Sequence, residues 1–120
     1  MEFNNNIPIY IQIMNYIKKL LAKGELKNGD KLISVRDMSE KFKVNPNTVQ
    51  RAYSELEREN ITFTKRGMGT FVTENENIIL DLKEELCDEI INSFLYNMNE
   101  LGFDKKEILN IIQEKLKGGV

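Results

Sequence analysis

Apolar side chains return at helical spacing near the start of the chain. Between Pro8 and Gly24 they recur every three or four residues, as they do along one face of an amphipathic helix. Proline is favoured in a first helical turn and glycine just past a helix end, so both boundaries fit. A first helix is therefore predicted. The residues that set its rhythm are Ile9, Ile13, Tyr16, Ile17, Leu20 and Leu21.

Two shorter helices are predicted next, with a polar turn between them. The Ser34 oxygen and the Asp37 carboxylate are suited to accept unpaired backbone N–H groups, which predicts a second helix over residues 35–43. Pro46 cannot continue that helix but is favoured just after an N-cap, which Asn45 supplies. A third helix therefore begins at Pro46. Its apolar stripe is Val49, Ala52, Tyr53 and Leu56, and Asn60 is the expected terminator.

The pattern then changes to that of a β-hairpin. Residues 61–64 and 70–73 are rich in β-branched and aromatic side chains, which favour strands. Residues 65–69, Lys-Arg-Gly-Met-Gly, separate the two runs and combine turn-forming glycines with two cations. The sequence therefore predicts a hairpin with a basic, glycine-rich tip.

Two further helices are predicted in the rest of the chain. Apolar residues from Ile78 to Met98 fall near a heptad rhythm, and the helix is expected to break at residues 101–103. Asp104 with Glu107 predicts a capping box that opens a last helix. This helix is expected to fray at Gly118 and Gly119. Cys87 lies within the helical apolar pattern and is interpreted as a core residue.

The predicted fold is mainly α with a small β-hairpin. A winged helix-turn-helix head over residues 1–73 is followed by a hinge at 74–77 and a helical dimerisation segment over 78–120. In this fold the third helix enters the DNA major groove. Charge divides similarly: residues 1–73 hold 12 Lys and Arg against 8 Asp and Glu (+4), and residues 74–120 hold 5 against 11 (−6). The net positive charge of residues 1–73 is therefore compatible with binding a polyanion, whereas the net negative charge of residues 74–120 is not.

Composition argues against several other classes. A single cysteine and no histidine leave neither a disulfide framework nor the usual zinc ligands. The apolar stretches are too short to span a bilayer, and the amino terminus resembles neither a signal nor a transit peptide, so a cytoplasmic location without membrane contact is expected. Without paired carboxylates, a phosphate loop or a convincing nucleophile, the chain is predicted to be no enzyme and to need no metal or cofactor.

Nine residues of the head are predicted to contact double-stranded DNA. The third helix opens with amide and hydroxyl groups, which suit adenine, and with an arginine, which suits guanine. An arginine early in the second helix can bind a phosphate, and the basic wing tip can approach the sugar-phosphate chain closely. The predicted contacts are Arg36, Asn45, Asn47, Thr48, Gln50, Arg51, Lys65, Arg66 and Gly67.

The same residues also fit simpler roles. Asn45 and Thr48 can act as helix caps, and Arg36 can pair with Asp37 or Glu40. The wing cations can also be solvated charges on a tight hairpin. For the head as a whole, the alternative is a winged-helix protein-interaction module without DNA binding, which would favour an apolar or acidic third helix.

Three ordered motifs resemble the GntR family of bacterial repressors. They are residues 29–37 (GDKLISVRD), 44–57 (VNPNTVQRAYSELE) and 66–72 (RGMGTFV), within a resemblance that covers about residues 7–73. The resemblance implies that DNA contacts come from Arg36, the start of the third helix and the wing tip. Ile33 departs from the family pattern, which usually has proline there, and this departure is expected to loosen the turn before the second helix.

The 47 residues after Thr73 are too few for the large effector domains of most GntR subfamilies. Two helices after the wing resemble the YtrA subfamily, which implies a dimer and control of a transporter operon. Independently, two amphipathic helices with wide apolar faces cannot both bury them against so small a head. A symmetric dimer predicts a palindromic operator with half-sites about one helical turn, roughly 34 Å, or a multiple apart. The alternative is a monomer whose tail folds onto its head.

The predicted mechanism is occlusion of promoter DNA by the dimer. A signal would change the placement of the two heads through the hinge. Any small-molecule effector would have to bind in or near the dimer interface. The aromatic and methionine residues there either line a pocket or, as the simpler alternative, form core. These residues are Phe94, Tyr96, Met98 and Phe103.

Overall fold

The computed structural model describes residues 2–118. Within this range the fold is mainly helical with one antiparallel hairpin, as predicted, and the chain divides into a unit up to Lys83 and a unit from Glu84 onward. The elements in chain order are α1 (Ile9–Lys23), α2 (Val35–Phe42), α3 (Pro46–Arg58), β1 (Thr62–Lys65), β2 (Gly69–Val72), α4 (Glu76–Glu100) and α5 (Lys105–Lys117).

The core of the first unit lies where α3 packs against α1, α2 and β1. The apolar stripes predicted for the first and third helices face each other there, and burial of each such side chain contributes about 1.5–3 kcal/mol. The helix-turn-helix is therefore held together by its own side chains. The largest fully buried residues are Ile13, Ile17, Val49, Leu56 and Val72.

The first two helices begin and end close to the predicted residues. Pro8 is the N-cap of α1 rather than a residue of its first turn, and Gly24 ends the helix with a φ of +81°. The Ser34 hydroxyl accepts a hydrogen bond from the Asp37 N–H at 3.0 Å, as expected for a cap. Among residues 2–118 the Asp37 carboxylate accepts no backbone hydrogen bond, so only half of the predicted capping forms.

The turn between α2 and α3 is fixed by two side chains. The Asn45 side chain accepts a hydrogen bond from the Asn47 N–H at 2.8 Å, which caps α3 just before Pro46. The buried Ser39 hydroxyl donates to the Val44 carbonyl at 2.5 Å and so connects α2 to the end of the turn. These bonds set the start of α3 relative to α2.

The wing is a two-stranded hairpin with one additional bridging residue beside β2. Lys65 pairs with Gly69 at the last position of the ladder, so both residues belong to the strands rather than to the tip as predicted. The tip is therefore residues 66–68. Lys31 forms an isolated antiparallel bridge with Phe71 on the other side of β2, in a region where the sequence pattern indicated only a turn.

Helix α4 begins at Glu76, two residues before the start predicted from the apolar rhythm. Half of the segment predicted as a hinge, residues 74–77, is therefore helical, while the division of the chain into head, hinge and dimerisation segment stays a prediction. The predicted break follows Glu100, with Gly102 at a φ of +88°. No helix of residues 2–118 has the length and apolar character that crossing a membrane requires.

Helix α5 is opened by the predicted capping box. The Asp104 carboxylate accepts from the Glu107 N–H at 2.8 Å, and the Glu107 carboxylate accepts from the Asp104 N–H at 3.1 Å. The helix ends at Lys117, followed by Gly118. The fraying predicted at Gly119 lies outside the described residues.

Cys87 is exposed on α4, so its interpretation as a core residue is wrong. The reason is that apolar residues lie on more than one side of this helix. The neighbours Ile90 and Ile91, about 100° apart around a helix, are both exposed. A helical rhythm in such a segment does not identify one buried face.

Candidate DNA interface

The start of α3 presents an exposed polar strip. Residues three and four apart share one face of a helix, which brings Asn47, Gln50, Arg51 and Ser54 together. All four side chains are exposed, and the Gln50 amide donates to the Ser54 hydroxyl at 3.3 Å. This strip, residues 47, 50, 51 and 54, is called the α3 strip below.

Two of the predicted contacts lie at the edge of this strip. The side-chain oxygen of Asn45 is occupied as the α3 cap, which leaves its amide N–H groups as donors. Thr48 is half-buried, and among residues 2–118 its hydroxyl makes no hydrogen bond. Asn45 therefore has the capping role that the sequence left open, Thr48 does not, and DNA contact by either residue stays a prediction.

Arg51 lies against an aromatic ring from another helix. Its guanidinium carbon is 3.9 Å from the centre of the Tyr10 ring on α1, the closest of the cation–π contacts among residues 2–118. Among these residues Arg51 makes no ion pair. The contact with the Tyr10 ring is therefore the one contact that restrains the guanidinium among the described residues.

Arg36 stands at the start of α2 with 86% of its side chain exposed. Its Nε lies 3.3 Å from the Glu40 carboxylate, so the local ion pair that the sequence left open is present. Exposed pairs of this kind contribute only about 0.2–1 kcal/mol. The pair therefore holds Arg36 only weakly, and phosphate contact by Arg36 stays a prediction.

The segment that precedes α2 is anchored from α3. The buried Tyr53 hydroxyl donates to the Ile33 carbonyl at 2.7 Å, and desolvation by burial raises the pKa of Tyr53 well above its usual value. The hydroxyl therefore stays protonated and keeps donating. This bond restrains the turn at the position where the family pattern has proline, and it supports the start of α2 that carries Arg36.

The wing carries its cations on two different parts. Lys65 lies over the Phe71 ring at 4.7 Å and the Phe63 ring at 5.7 Å, on the face of the hairpin opposite the buried Val72. Arg66 is exposed in the tip, and Gly67 beside it has a φ of +77°, which favours glycine. The exposed tip can therefore come close to the surface of a binding partner.

Lys31 is a candidate cation that the sequence analysis missed. Its side chain crosses Gly69 so closely that a Cβ atom at Gly69 would lie 2.8 Å from the Lys31 Cε. The Lys31–Phe71 bridge places it on the same outer face as Lys65. A single bridging pair leaves almost no sequence pattern, and the two glycines were interpreted only as allowing the wing tip to approach the sugar-phosphate chain closely.

The predicted residues lie at the start of α2, on or beside the α3 strip, and on the wing, and both α2 and β1 pack against α3. An exposed polar helix face is suited to base edges, and exposed cations are suited to phosphates. Among residues 2–118 no cluster of His, Cys, Asp or Glu is arranged to hold a metal ion. The fold and this surface define a protein of the winged helix-turn-helix class.

Comparison with known proteins identifies the family. Residues 9–72 match the bacterial regulatory proteins of the gntR family. The chain is similar to the transcriptional regulator YhcF of Bacillus subtilis strain 168 (47% identity; 98% of each chain covered) and to the transcriptional repressor YtrA of the same strain (38%; 96% of this chain and 92% of YtrA). A GntR family regulator from Listeria monocytogenes has a similar structure, with a TM-score of 0.88 at 38% identity over 93% of this chain and 98% of that one.

The chain belongs to the GntR family of bacterial regulatory proteins and, within it, to the YtrA subfamily. It is therefore a DNA-binding transcription regulator and, as predicted, not an enzyme. The resemblance inferred from the three sequence motifs is confirmed.

Proposed function

We propose that the protein is a dimeric repressor that binds a palindromic operator through the α3 strip, the start of α2 and the wing. The observation that carries this proposal is the α3 strip itself, which is exposed and polar; Arg36 at the start of α2 and the wing cations Lys65 and Arg66 are exposed as well. A solvated helix face would usually carry glutamate and lysine at these positions. Amide, hydroxyl and guanidinium groups are instead those that read base edges.

Roles within the interface follow from the chemistry of each group. Asn47, Gln50 and Arg51 read bases in the major groove, with Asn45 and Thr48 at the edge of the contact. Arg36 and the wing residues Lys65, Arg66 and Gly67 contact the sugar-phosphate chain and fix the register of the protein on the duplex. Lys31 adds a further phosphate contact beside the wing.

Dimerisation is supported by the second unit. Among its described residues only Ile108 is buried, whereas large apolar side chains of α4 and α5 are exposed. Pairing with a second copy would cover these side chains, and two-fold symmetry would present two α3 strips to two half-sites. The exposed residues are Ile90, Ile91, Leu95, Tyr96, Leu101, Leu109 and Leu116.

Regulation would act through the dimer. A small-molecule effector would bind among Phe94, Tyr96, Met98 and Phe103, of which Tyr96 is exposed and the other three are half-buried. A change in pairing would then alter the spacing of the two heads on the operator. By the subfamily resemblance, the regulated genes encode a transporter.

The test is selection of bound duplexes from a random DNA library, followed by fluorescence anisotropy on the selected sequence. We expect a two-fold related sequence, and a roughly 10- to 100-fold loss of affinity for Arg51→Ala, since one good base contact is worth about 1–3 kcal/mol. Arg58→Ala is the matched control, because it removes the same charge from the exposed carboxyl end of α3. Failure to enrich any sequence, or equal losses for both variants, would contradict the proposal.

A further inference from the structure

Tyr10 belongs to α1, outside the surface described above as the candidate interface, yet it contacts that surface. It lies in the first turn of α1 and is half-buried, in line with the buried Ile13 and Met14 three and four residues later. Its ring is therefore at the amino-terminal end of the apolar face of α1. The Arg51 guanidinium lies 3.9 Å from the ring centre, at stacking distance.

Stacking leaves the hydrogen-bonding capacity of Arg51 intact. The five N–H donors of a guanidinium lie in its plane, so a ring packed against the flat face does not compete for them, and among residues 2–118 the Arg51 guanidinium makes no hydrogen bond or ion pair. Arg36 and Arg58 are held differently: Arg36 donates its Nε–H to Glu40 at 3.3 Å, and Arg58 lies 3.8 Å from the carboxylate of Glu55 in an ion pair. Arg51 is thus restrained and still able to make two in-plane bonds to a base.

We infer that Tyr10 is a positioning residue for base readout: its ring orients the Arg51 guanidinium before DNA is bound. This inference rests on the proposed function, because it takes Arg51 as a base-reading residue. An unrestrained arginine loses much rotational freedom when it is immobilised at an interface, and a stacked arginine has already lost part of it. Helix α1 therefore contributes to operator affinity without touching the operator.

The first experiment is a double-mutant cycle measured by anisotropy on the duplex selected by the wild-type protein. Tyr10→Leu removes the aromatic face but keeps apolar bulk, and we expect it to weaken binding about three- to tenfold. Tyr10→Phe keeps the stacking face and should bind within about twofold of wild type. In the Arg51→Ala background, Tyr10→Leu should cause no further loss, because the group it positions is gone.

A second readout separates positioning from general packing of α1. Selection from the random library is repeated with Arg51→Ala and with Tyr10→Leu. If Tyr10 acts through Arg51, both variants relax the preference at the same base pair and at no other. Thermal unfolding of every variant verifies that affinities are compared between folded proteins.

The stacking itself is tested without DNA by NMR of the Arg51 Nε–Hε group. We expect the ring current of Tyr10 to shift this resonance, the shift to persist in Tyr10→Phe, and the shift to vanish in Tyr10→Leu. An unchanged resonance in Tyr10→Leu would overturn the inference. So would an equal loss of affinity for Tyr10→Leu in the Arg51 and Arg51→Ala backgrounds.

The two proposals fail in distinguishable ways. If the wild-type protein enriches no sequence, the proposed function and this inference fall together. If the wild-type protein binds its selected duplex and Arg51→Ala weakens that binding while Tyr10→Leu does not, only the role of Tyr10 is overturned.

Discussion

The two units of the chain differ in how far their apolar side chains are buried. The first unit buries residues from α1, α3 and β2 completely, among them Ile13, Val49 and Val72. In the second unit Ile90 is 68% exposed and Tyr96 is 64% exposed. Both units contain well-formed helices, so helix formation does not distinguish them. The difference is that the first unit completes its own core, whereas among the described residues of the second unit only Ile108 is buried and most large apolar side chains are exposed.

Because of this difference, the two units are suited to different tasks. Recognition of DNA needs side chains in fixed places, and a completed core beneath the α3 strip provides that rigidity. The proposed pairing would need accessible apolar area, and the second unit exposes such area. Substitutions should therefore affect folding and recognition in one unit and association in the other.

The largest effect is expected in the core of the first unit. Ile13→Ala removes a fully buried side chain and should lower the free energy of unfolding by about 2–5 kcal/mol. Ile33→Ala is the matched control, since Ile33 is 44% exposed, and should change that free energy by less than about 0.5 kcal/mol. Urea denaturation measures both. A small effect of Ile13→Ala would mean that the unit does not depend on its own core.

The next largest effect concerns association. Ile90→Glu places a charge on the exposed apolar surface of the second unit and should raise the dimer dissociation constant about 10- to 100-fold. Asn92→Glu, at a nearby exposed polar position, should change it less than about threefold. Sedimentation velocity over a concentration series gives the constants. Unchanged association for Ile90→Glu would remove this surface from the dimer interface.

Features that depend on residues close together in the sequence could be predicted, whereas contacts between distant segments could not. The three head helices were predicted correctly because their signals are local: Ser34 and Asn45 cap within three residues, and Pro46 marks a helix start. Nine candidate contacts were predicted from the same local context. The contacts that organise them, Tyr10 with Arg51 and Lys31 with Gly69, join distant segments and depend on packing, which one sequence does not reveal.

A smaller effect is expected at the wing. Lys31→Gln removes one cation and should weaken DNA binding about two- to fivefold at low salt, with the log–log salt dependence reduced by about one unit. Selected and random duplexes should be affected equally, because a phosphate contact carries no sequence information. Lys19→Gln, which removes an exposed charge from α1, is the control. Loss confined to the selected duplex would contradict a phosphate role.

The smallest effect is expected inside the hairpin. The Thr62 hydroxyl is buried and has no hydrogen-bond partner among residues 2–118. Thr62→Val removes this unpaired group at nearly constant shape and should be neutral or should stabilise the first unit by up to about 1 kcal/mol. Thermal unfolding measures the change, with Thr64→Val, at an exposed threonine of the same strand, as the control. Destabilisation beyond about 1 kcal/mol would show that the hydroxyl has a partner after all.

The crossing of Lys31 over Gly69 has a consequence for how this protein can diverge. A Cβ atom at position 69 would lie 2.8 Å from the Lys31 Cε, but that atom is the far end of a flexible side chain and can move aside. The φ of +121° at Gly69 is the stronger constraint, because other residues rarely adopt it. Position 31 should therefore vary among homologues more freely than position 69, and a homologue without lysine at position 31 would carry one positive charge fewer beside the wing.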